Sequence, residues 1–246
     1  MPTKRQDRID SFKLTQGRLL AGKYFVDSLL GAGWEGEVYK VHERKTGATR
    51  AAKLFFPHRN ADDRAVSVYA QKLERLRPCP IILKYHHSED VNVRGAWVTA
   101  LISEFVEGEL LESFVRRQPG KRLRPFEALT LLHAIASGLE CVHKMREYHG
   151  DMHIGNILVR RIGVGFDVRI VDMYDWGKPT AANIQEDVFN LIRILYDMVG
   201  GAKRYASQPP EIKQICCGLK RSLIRKRFRT TRDLREHLES FEWSDG

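Results

Sequence analysis

The hydrophobic pattern changes period once along the chain, near Glu107, and this change constrains the fold more than any other feature. Before it, short alternating runs recur: Tyr24-Phe25-Val26, Glu37-Val38-Tyr39-Lys40-Val41 and Arg50-Ala51-Ala52-Lys53-Leu54-Phe55. Turns such as Lys45-Thr46-Gly47 separate them, which predicts antiparallel strands and hairpins. A helix over residues 62–76, ended by Pro78 and Pro80, and strands over 81–85 and 96–105 complete this half. After Glu107 the spacing becomes helical, over 110–117 and 125–144, with Leu129, Leu132, Ile135, Ala136 and Leu139 on one stripe. Strands at 157–160 and 168–171 flank a turn at 163–165, and helices follow at 186–199, 210–224 and 231–241. The expectation is an α+β fold of two lobes, 22–106 and 107–246, preceded by a polar lead-in over 1–21, with the ligand cleft between the lobes.

Composition narrows the function classes. Of 246 residues, 43% are hydrophobic and 29% charged, enough for a packed core. No apolar run approaches the length of a membrane-spanning helix, and the polar, basic start does not resemble a secretory signal. Cys79, Cys141, Cys216 and Cys217 form no C-x-x-C pair, so they read as free thiols of a reducing, cytoplasmic compartment. The net charge of +10 is concentrated at Lys220, Arg221, Arg225, Lys226, Arg227 and Arg229. This stretch reads as a solvated helix face, with an anionic partner as the alternative. Nucleic acid is disfavoured, because no zinc-finger spacing or aromatic ribonucleoprotein pattern accompanies it.

Two motifs carry chemistry. Gly31-Ala32-Gly33-Trp34-Glu35-Gly36-Glu37-Val38 fits G-x-G-x-x-G-x-V, and a strand rather than a helix follows it. That context fits a hairpin flap over phosphates, with glycines at 31, 33 and 36 letting backbone approach phosphate oxygens. Lys53, fifteen positions after Val38 among apolar strand residues, is spaced to pair with those phosphates. The second motif is His149-Gly150-Asp151-Met152-His153-Ile154-Gly155-Asn156, between a long helix and a short apolar strand. Asp151 can take or orient a hydroxyl proton, and Asn156 offers a neutral oxygen to Mg²⁺, which prefers oxygen ligands. A second metal carboxylate is expected at the end of the strand over 168–171. Asp172 continues that strand without a break; Asp175-Trp176-Gly177 imitates D-F-G in letters but lies further into the loop, so strand register favours Asp172.

Together these residues resemble the protein kinase superfamily, from about Leu20 to Phe241. The resemblance implies a small antiparallel β N-lobe, a helical C-lobe and use of ATP with Mg²⁺. Leu20–Val26 leading into Leu30-Gly31 is similar to the entry of bacterial Ser/Thr protein kinases. Residues 102–108 look like the hinge, with Ser103 as gatekeeper and Glu104 to Val106 facing adenine through their backbone. By the same matching, Val38, Ala51 and Leu158 would sandwich the adenine ring, His149 would support the catalytic loop, and Asp187 would brace its backbone. Residues 227–238 are similar to the closing helix.

The departures matter too. Gly150 stands where many regulated kinases carry Arg, and His153 replaces the usual Lys, as in aminoglycoside phosphotransferases. The stretch from Asp172 to Asp187 is shorter than a regulated activation segment, and no A-P-E is present. The helix position expected to hold the glutamate partner of Lys53 falls near Tyr69, while Glu74 lies on another face. The resemblance thus implies a compact kinase of Ser/Thr hydroxyls on proteins, without activation-loop control. A small-molecule hydroxyl kinase and an ATP-binding scaffold are the alternatives.

Overall fold

The computed structural model describes residues 8–175 and 177–240. Residues 1–7 of the lead-in, Trp176 and Phe241 therefore lie outside the described residues. The chain divides into two compact units, Met1–Arg77 with Leu83–Phe105, and Pro78–Ile82 with Val106–Gly246.

The first unit is built on a six-stranded antiparallel sheet. Its strands are β1 (Leu19–Leu20), β2 (Tyr24–Ala32), β3 (Gly36–Glu43), β4 (Thr49–Phe55), β5 (Tyr85–Val93) and β6 (Ala96–Glu104), in the order β1-β2-β3-β4-β6-β5. Tyr39 pairs with Ala52 and Ala52 with Ile102. Directly opposed residues share a face, so these residues, with Leu54, Val41 and Ala100, form one buried layer. Helix α1 (Arg64–Arg75) accompanies the sheet.

The lead-in expectation needs correcting for residues 8–20. Phe12 is only 1% exposed and joins the core, its ring 5.1 Å from that of Phe56. Its backbone N–H donates to the buried Glu37 carboxylate at 3.1 Å, and the Tyr39 hydroxyl donates to the same carboxylate. The alternation that buries Tyr39 and Val41 also turns Glu37 inward, where its buried oxygens need these donors. Burial, reinforced by that hydrogen bond, pushes the Tyr39 hydroxyl up to about 12.

The strand expected over 81–85 is not present; β5 begins at Tyr85 and runs through the polar His86-His87-Ser88-Glu89-Asp90 to Val93. Positions 86, 88, 90 and 92 are exposed and the alternate positions up to Glu89 are also polar or amphipathic, so no hydrophobic period marks the strand.

The second unit contains α2 (Leu111–Arg117), α3 (Pro125–Lys144), α4 (Ala181–Met198), α5 (Ala202–Tyr205), α6 (Pro210–Cys216), α7 (Arg221–Arg227) and α8 (Thr231–Glu239). A three-stranded antiparallel sheet, β7 (Glu109–Leu110), β8 (Ile157–Ile162) and β9 (Gly165–Ile170), completes it. Helix α4 starts earlier than its apolar period suggests, because Thr180 caps it in a reciprocal box with Asn183. The continuous helix expected over 210–224 is broken, with Cys217, Gly218 and Leu219 all at positive φ between α6 and α7.

The segment Pro78–Ile82 belongs to this unit for visible reasons. Cys79 and Cys141 are joined in a disulfide, with Cα atoms 5.6 Å apart. Three residues earlier on α3, Gly138 leaves room for Ile81; a Cβ there would sit 2.4 Å from the Ile81 side chain. Ile170 N–H donates to the Ile81 carbonyl at 2.9 Å. The expectation of four free thiols is thus overturned for two of them. No local spacing marks the pair, since 62 positions separate the two residues. Cys216 and Cys217 remain free, and burial pushes Cys216 up to about 12, which leaves it a poor nucleophile.

Candidate functional site

In the first unit the sheet register collects the expected residues on one face. Val38 pairs with Lys53, and Lys40 with Ala51, which in turn pairs with Ser103. Val38, Ala51, Lys53 and Ser103 therefore lie on the face opposite the Tyr39, Ala52 and Leu54 layer. The Gly-rich turn joins β2 to β3. Gly33 N–H donates to the Gly36 carbonyl at 2.9 Å, and Phe56 N–H to the Glu35 carbonyl at 2.8 Å. Gly36 is sterically obligatory, since a Cβ there would lie 1.9 Å from the Leu54 carbonyl oxygen. At Gly31 and Gly33 a Cβ would meet nothing within 4 Å, so no neighbour in the fold dictates glycine at these positions.

Lys53 is 9% exposed. Its Nζ lies 2.7 Å from Glu35 Oε2, 4.8 Å from the centre of the Tyr69 ring and 5.1 Å from that of Phe55. The helix position that sequence comparison singles out near Tyr69 does face Lys53, with an aromatic ring, while a carboxylate comes from inside the Gly-rich turn. The helical spacing does not point to this acid; its only signal in the sequence is a glutamate inside the Gly-rich motif itself. Glu104 ends β6, with its N–H donating to the Lys84 carbonyl at 2.9 Å. Its carboxylate accepts the Lys84 N–H at 2.9 Å. Val106 opens the second unit and makes no hydrogen bond among the described residues.

In the second unit the loop after α3 is held from below. Asp187, fully buried on α4, accepts His149 N–H at 2.7 Å and Gly150 N–H at 3.0 Å. Burial pushes this carboxyl up, but the hydrogen bond from His143 and the His149 N–H outweigh it and hold it below its ordinary value. His143 also touches Thr231 at 3.1 Å, which ties the start of α8 to the same carboxylate. His149 Nε2 donates to the Val171 carbonyl at 2.9 Å, and its Nδ1 accepts Asp151 N–H at 3.2 Å. One imidazole thus links the Asp151 backbone to the residue preceding Asp172.

Asp151 and Asn156 are brought together. Asn156 Nδ2 donates to the Asp151 carbonyl at 2.9 Å and to its Oδ2 at 3.2 Å, which leaves Oδ1 as the amide's remaining acceptor. Val171 N–H donates to the Asn156 carbonyl at 3.0 Å, so Asn156 is also tied to the strand end that leads into Asp172. Asp172 takes the left-handed conformation at φ 55°, while Asp175 Oδ1 accepts Gly177 N–H at 2.9 Å. His153 Nδ1 accepts Gly155 N–H at 3.0 Å, turning Nε2 towards Asp151 Oδ2 at 3.7 Å. A cavity of about 330 Å³, lined by Gly150, Asp151, Asn183, Glu186 and Asn190, opens beside Asp151. Leu158 lies in β8, half-buried, opposite Leu110 and Arg169. Among the described residues no helix is long and apolar enough to cross a membrane.

The protein kinase domain family matches residues 24–220. A probable serine/threonine-protein kinase of Streptomyces coelicolor is 25% identical over 162 residues, 65% of this chain and 23% of that protein. The serine/threonine-protein kinase PknA of Mycobacterium tuberculosis is 27% identical over 159 residues, 63% of this chain and 36% of PknA. The chain thus spans well under half the length of these curated relatives. The crystal structure of the M. tuberculosis PknI kinase domain superposes with a TM-score of 0.65 at 21% identity, covering 92% of this chain and 98% of that one. With an antiparallel β-sheet unit, a helical unit and a family match over most of its length, the chain belongs to the protein kinase superfamily.

Proposed function

We propose that this chain is a phosphotransferase that moves the γ-phosphate of ATP to a serine or threonine hydroxyl of a protein. The observation that carries the proposal is the Asp187 brace, which fixes His149 and Gly150 and so sets Asp151 beside Asn156. Asp151 accepts or orients the proton of the acceptor hydroxyl, and its exposed carboxylate leaves it reachable. Lys53 pairs with the α- and β-phosphates beneath the turn at Gly31, Gly33 and Gly36, and Val38, Ala51 and Leu158 contact the adenine, with Glu104 and Val106 offering backbone groups to its edge.

The donor set fits Mg²⁺. The Asn156 amide is oriented by its own Nδ2 bonds to present Oδ1, and Asp172 supplies a carboxylate from the strand end tied to Asn156. Mg²⁺, when bound, neutralises charge on the phosphate oxygens. The names of the relatives favour a protein hydroxyl as acceptor. Only residues 173–180 separate Asp172 from α4, which supports activity without activation-loop phosphorylation.

A second acceptor class, a small hydroxyl compound, is favoured by His153 Nε2 beside Asp151. Incubation with γ-labelled ATP, Mg²⁺ and a generic protein acceptor, against a panel of sugars and aminoglycosides, tests the proposal. Label on protein, lost in Asp151→Asn, is the expected result. Label only on small hydroxyl compounds moves the activity to the second class, and nucleotide binding without transfer overturns both. In the same assay Asp172→Asn should lower turnover about 100-fold or more, whereas Asp175→Asn, which loses only a local turn contact, should not. Loss at Asp175 alone would reverse the metal assignment.

A further inference from the structure

Apart from Gly150 and Asp151, the cavity beside Asp151 is lined by α4 alone, through Asn183, Glu186 and Asn190. These three stand three and four positions apart, so they share one face over the first turns of the helix. The wall they make is polar but carries little net charge. Both oxygens of Glu186 are taken by the Arg221 guanidinium, Oε1 by Nη2 at 2.8 Å and Oε2 by Nη1. The same guanidinium lies 3.9 Å from the centre of the Phe189 ring, so two residues of α4 hold Arg221 in place. Exposed as it is, the pair adds little to stability; its effect is to keep a carboxylate occupied. Asn183 Oδ1 accepts from Thr180 in the helix cap, which leaves the Asn183 NH₂ open to the cavity. The Asn190 side chain hydrogen-bonds to no other described residue.

We propose that the stripe Asn183–Glu186–Asn190 binds the acceptor, and that the acceptor it selects is an extended polypeptide with uncharged residues around its hydroxyl. A side-chain amide offers a donor and an acceptor together, the same pair that a peptide unit presents to it in return. Asn183 and Asn190 are separated by seven positions, about 10 Å along the helix axis. About three residues of extended chain cover that distance. A polycationic amino sugar, or a basic residue flanking the hydroxyl, needs a carboxylate without a cation on it. Glu186 is already matched by Arg221, which leaves Asp151 as the remaining acid of the lining. Arg221 thus acts as a specificity residue by masking Glu186. The transfer itself rests on the phosphotransferase reading above; the masking of Glu186 does not.

Two readouts on the full chain test this. The first is transfer from γ-labelled Mg-ATP to a positional library of serine-centred peptides. The wild type should prefer uncharged flanks. Arg221→Gln bares Glu186 and should raise kcat/KM about 10-fold for peptides with lysine or arginine beside the serine. Arg221→Lys, which keeps the charge, should retain the wild-type preference and guards against a general defect in the first variant. Asn190→Leu should raise KM for the neutral peptide about 10-fold, the scale of two neutral hydrogen bonds, with KM for Mg-ATP unchanged. The second readout needs no transfer: the affinity for the polycationic aminoglycoside kanamycin, measured by calorimetry. Arg221→Gln should tighten it about 10-fold, and adding Glu186→Gln should abolish that gain. A wild type that prefers basic flanks, or an Arg221→Gln variant in which either measured readout stays unmoved, overturns the inference. If kanamycin affinity follows the pattern while the wild type transfers no phosphate, the masking of Glu186 stands and the phosphotransferase reading falls. If transfer to peptides proceeds and neither readout moves, the inference falls alone.

Discussion

Asp187 and His149 are joined by a backbone N–H donated to a fully buried carboxylate at 2.7 Å, with the Gly150 N–H on the other oxygen at 3.0 Å. One side chain therefore satisfies two consecutive donors of the loop that carries Asp151. Asp187→Asn keeps the size but replaces one acceptor by an NH₂ facing an N–H. The expected cost is about 2–4 kcal/mol in denaturant unfolding, together with a drop in turnover. Equal stability of the variant and wild type would show that the loop holds its shape by other means.

The Cys79–Cys141 pair predicts a redox-dependent stability. Its disulfide closes a loop of 62 positions, for which the chain-entropy estimate is about 4 kcal/mol. Thermal unfolding with and without a reductant, and of Cys79→Ser with Cys141→Ser, should show a lower midpoint whenever the bond is absent. Alkylation of the unreduced, denatured chain should label Cys216 and Cys217 only. Labelling of all four would remove the bond.

Glu140 predicts a pH dependence. The hydrogen bond from Lys144, followed by those from Arg235 and Arg232, holds its carboxyl down to about 2 against the opposing effect of burial. A depressed carboxyl favours the folded state above its ordinary range. That contribution should be intact above about pH 4.5 and should disappear as pH falls towards about 2. Glu140→Gln should cost about 1–2 kcal/mol at neutral pH, between the values for exposed and buried pairs, and nothing near pH 2. A constant difference across that range, measured by denaturant midpoints, would contradict the linkage.

Gly36 predicts a purely steric failure. Gly36→Ala places a Cβ 1.9 Å from the Leu54 carbonyl, backbone that cannot rotate away, so β3 and β4 must part. A loss of about 2–4 kcal/mol is expected by calorimetry. Gly33→Ala, with no neighbour within 4 Å, should leave stability nearly unchanged.

Much of this was legible in the sequence for physical reasons. Helix α3 coincides with the predicted 125–144 because its apolar stripe, proline start and basic last turn agree. The pairing of Asp151 with Asn156 follows from their spacing across a short turn. What escaped were relations that no local period encodes. Polar β5 lacks a hydrophobic rhythm, the break between α6 and α7 depends on three consecutive positive-φ residues, and the cysteine pair joins distant positions. Glu35 stands within the Gly-rich motif, but its contact with Lys53 depends on how the turn folds over β4.

Phe12 carries a practical consequence. The family match opens at residue 24, so a chain trimmed to that outline would lose the ring that packs on Phe56 and the N–H that satisfies Glu37. The inherited family outline and the physical edge of this first unit are therefore different places, and a fragment cut at the former would leave a hollow beside the buried Glu37 carboxylate.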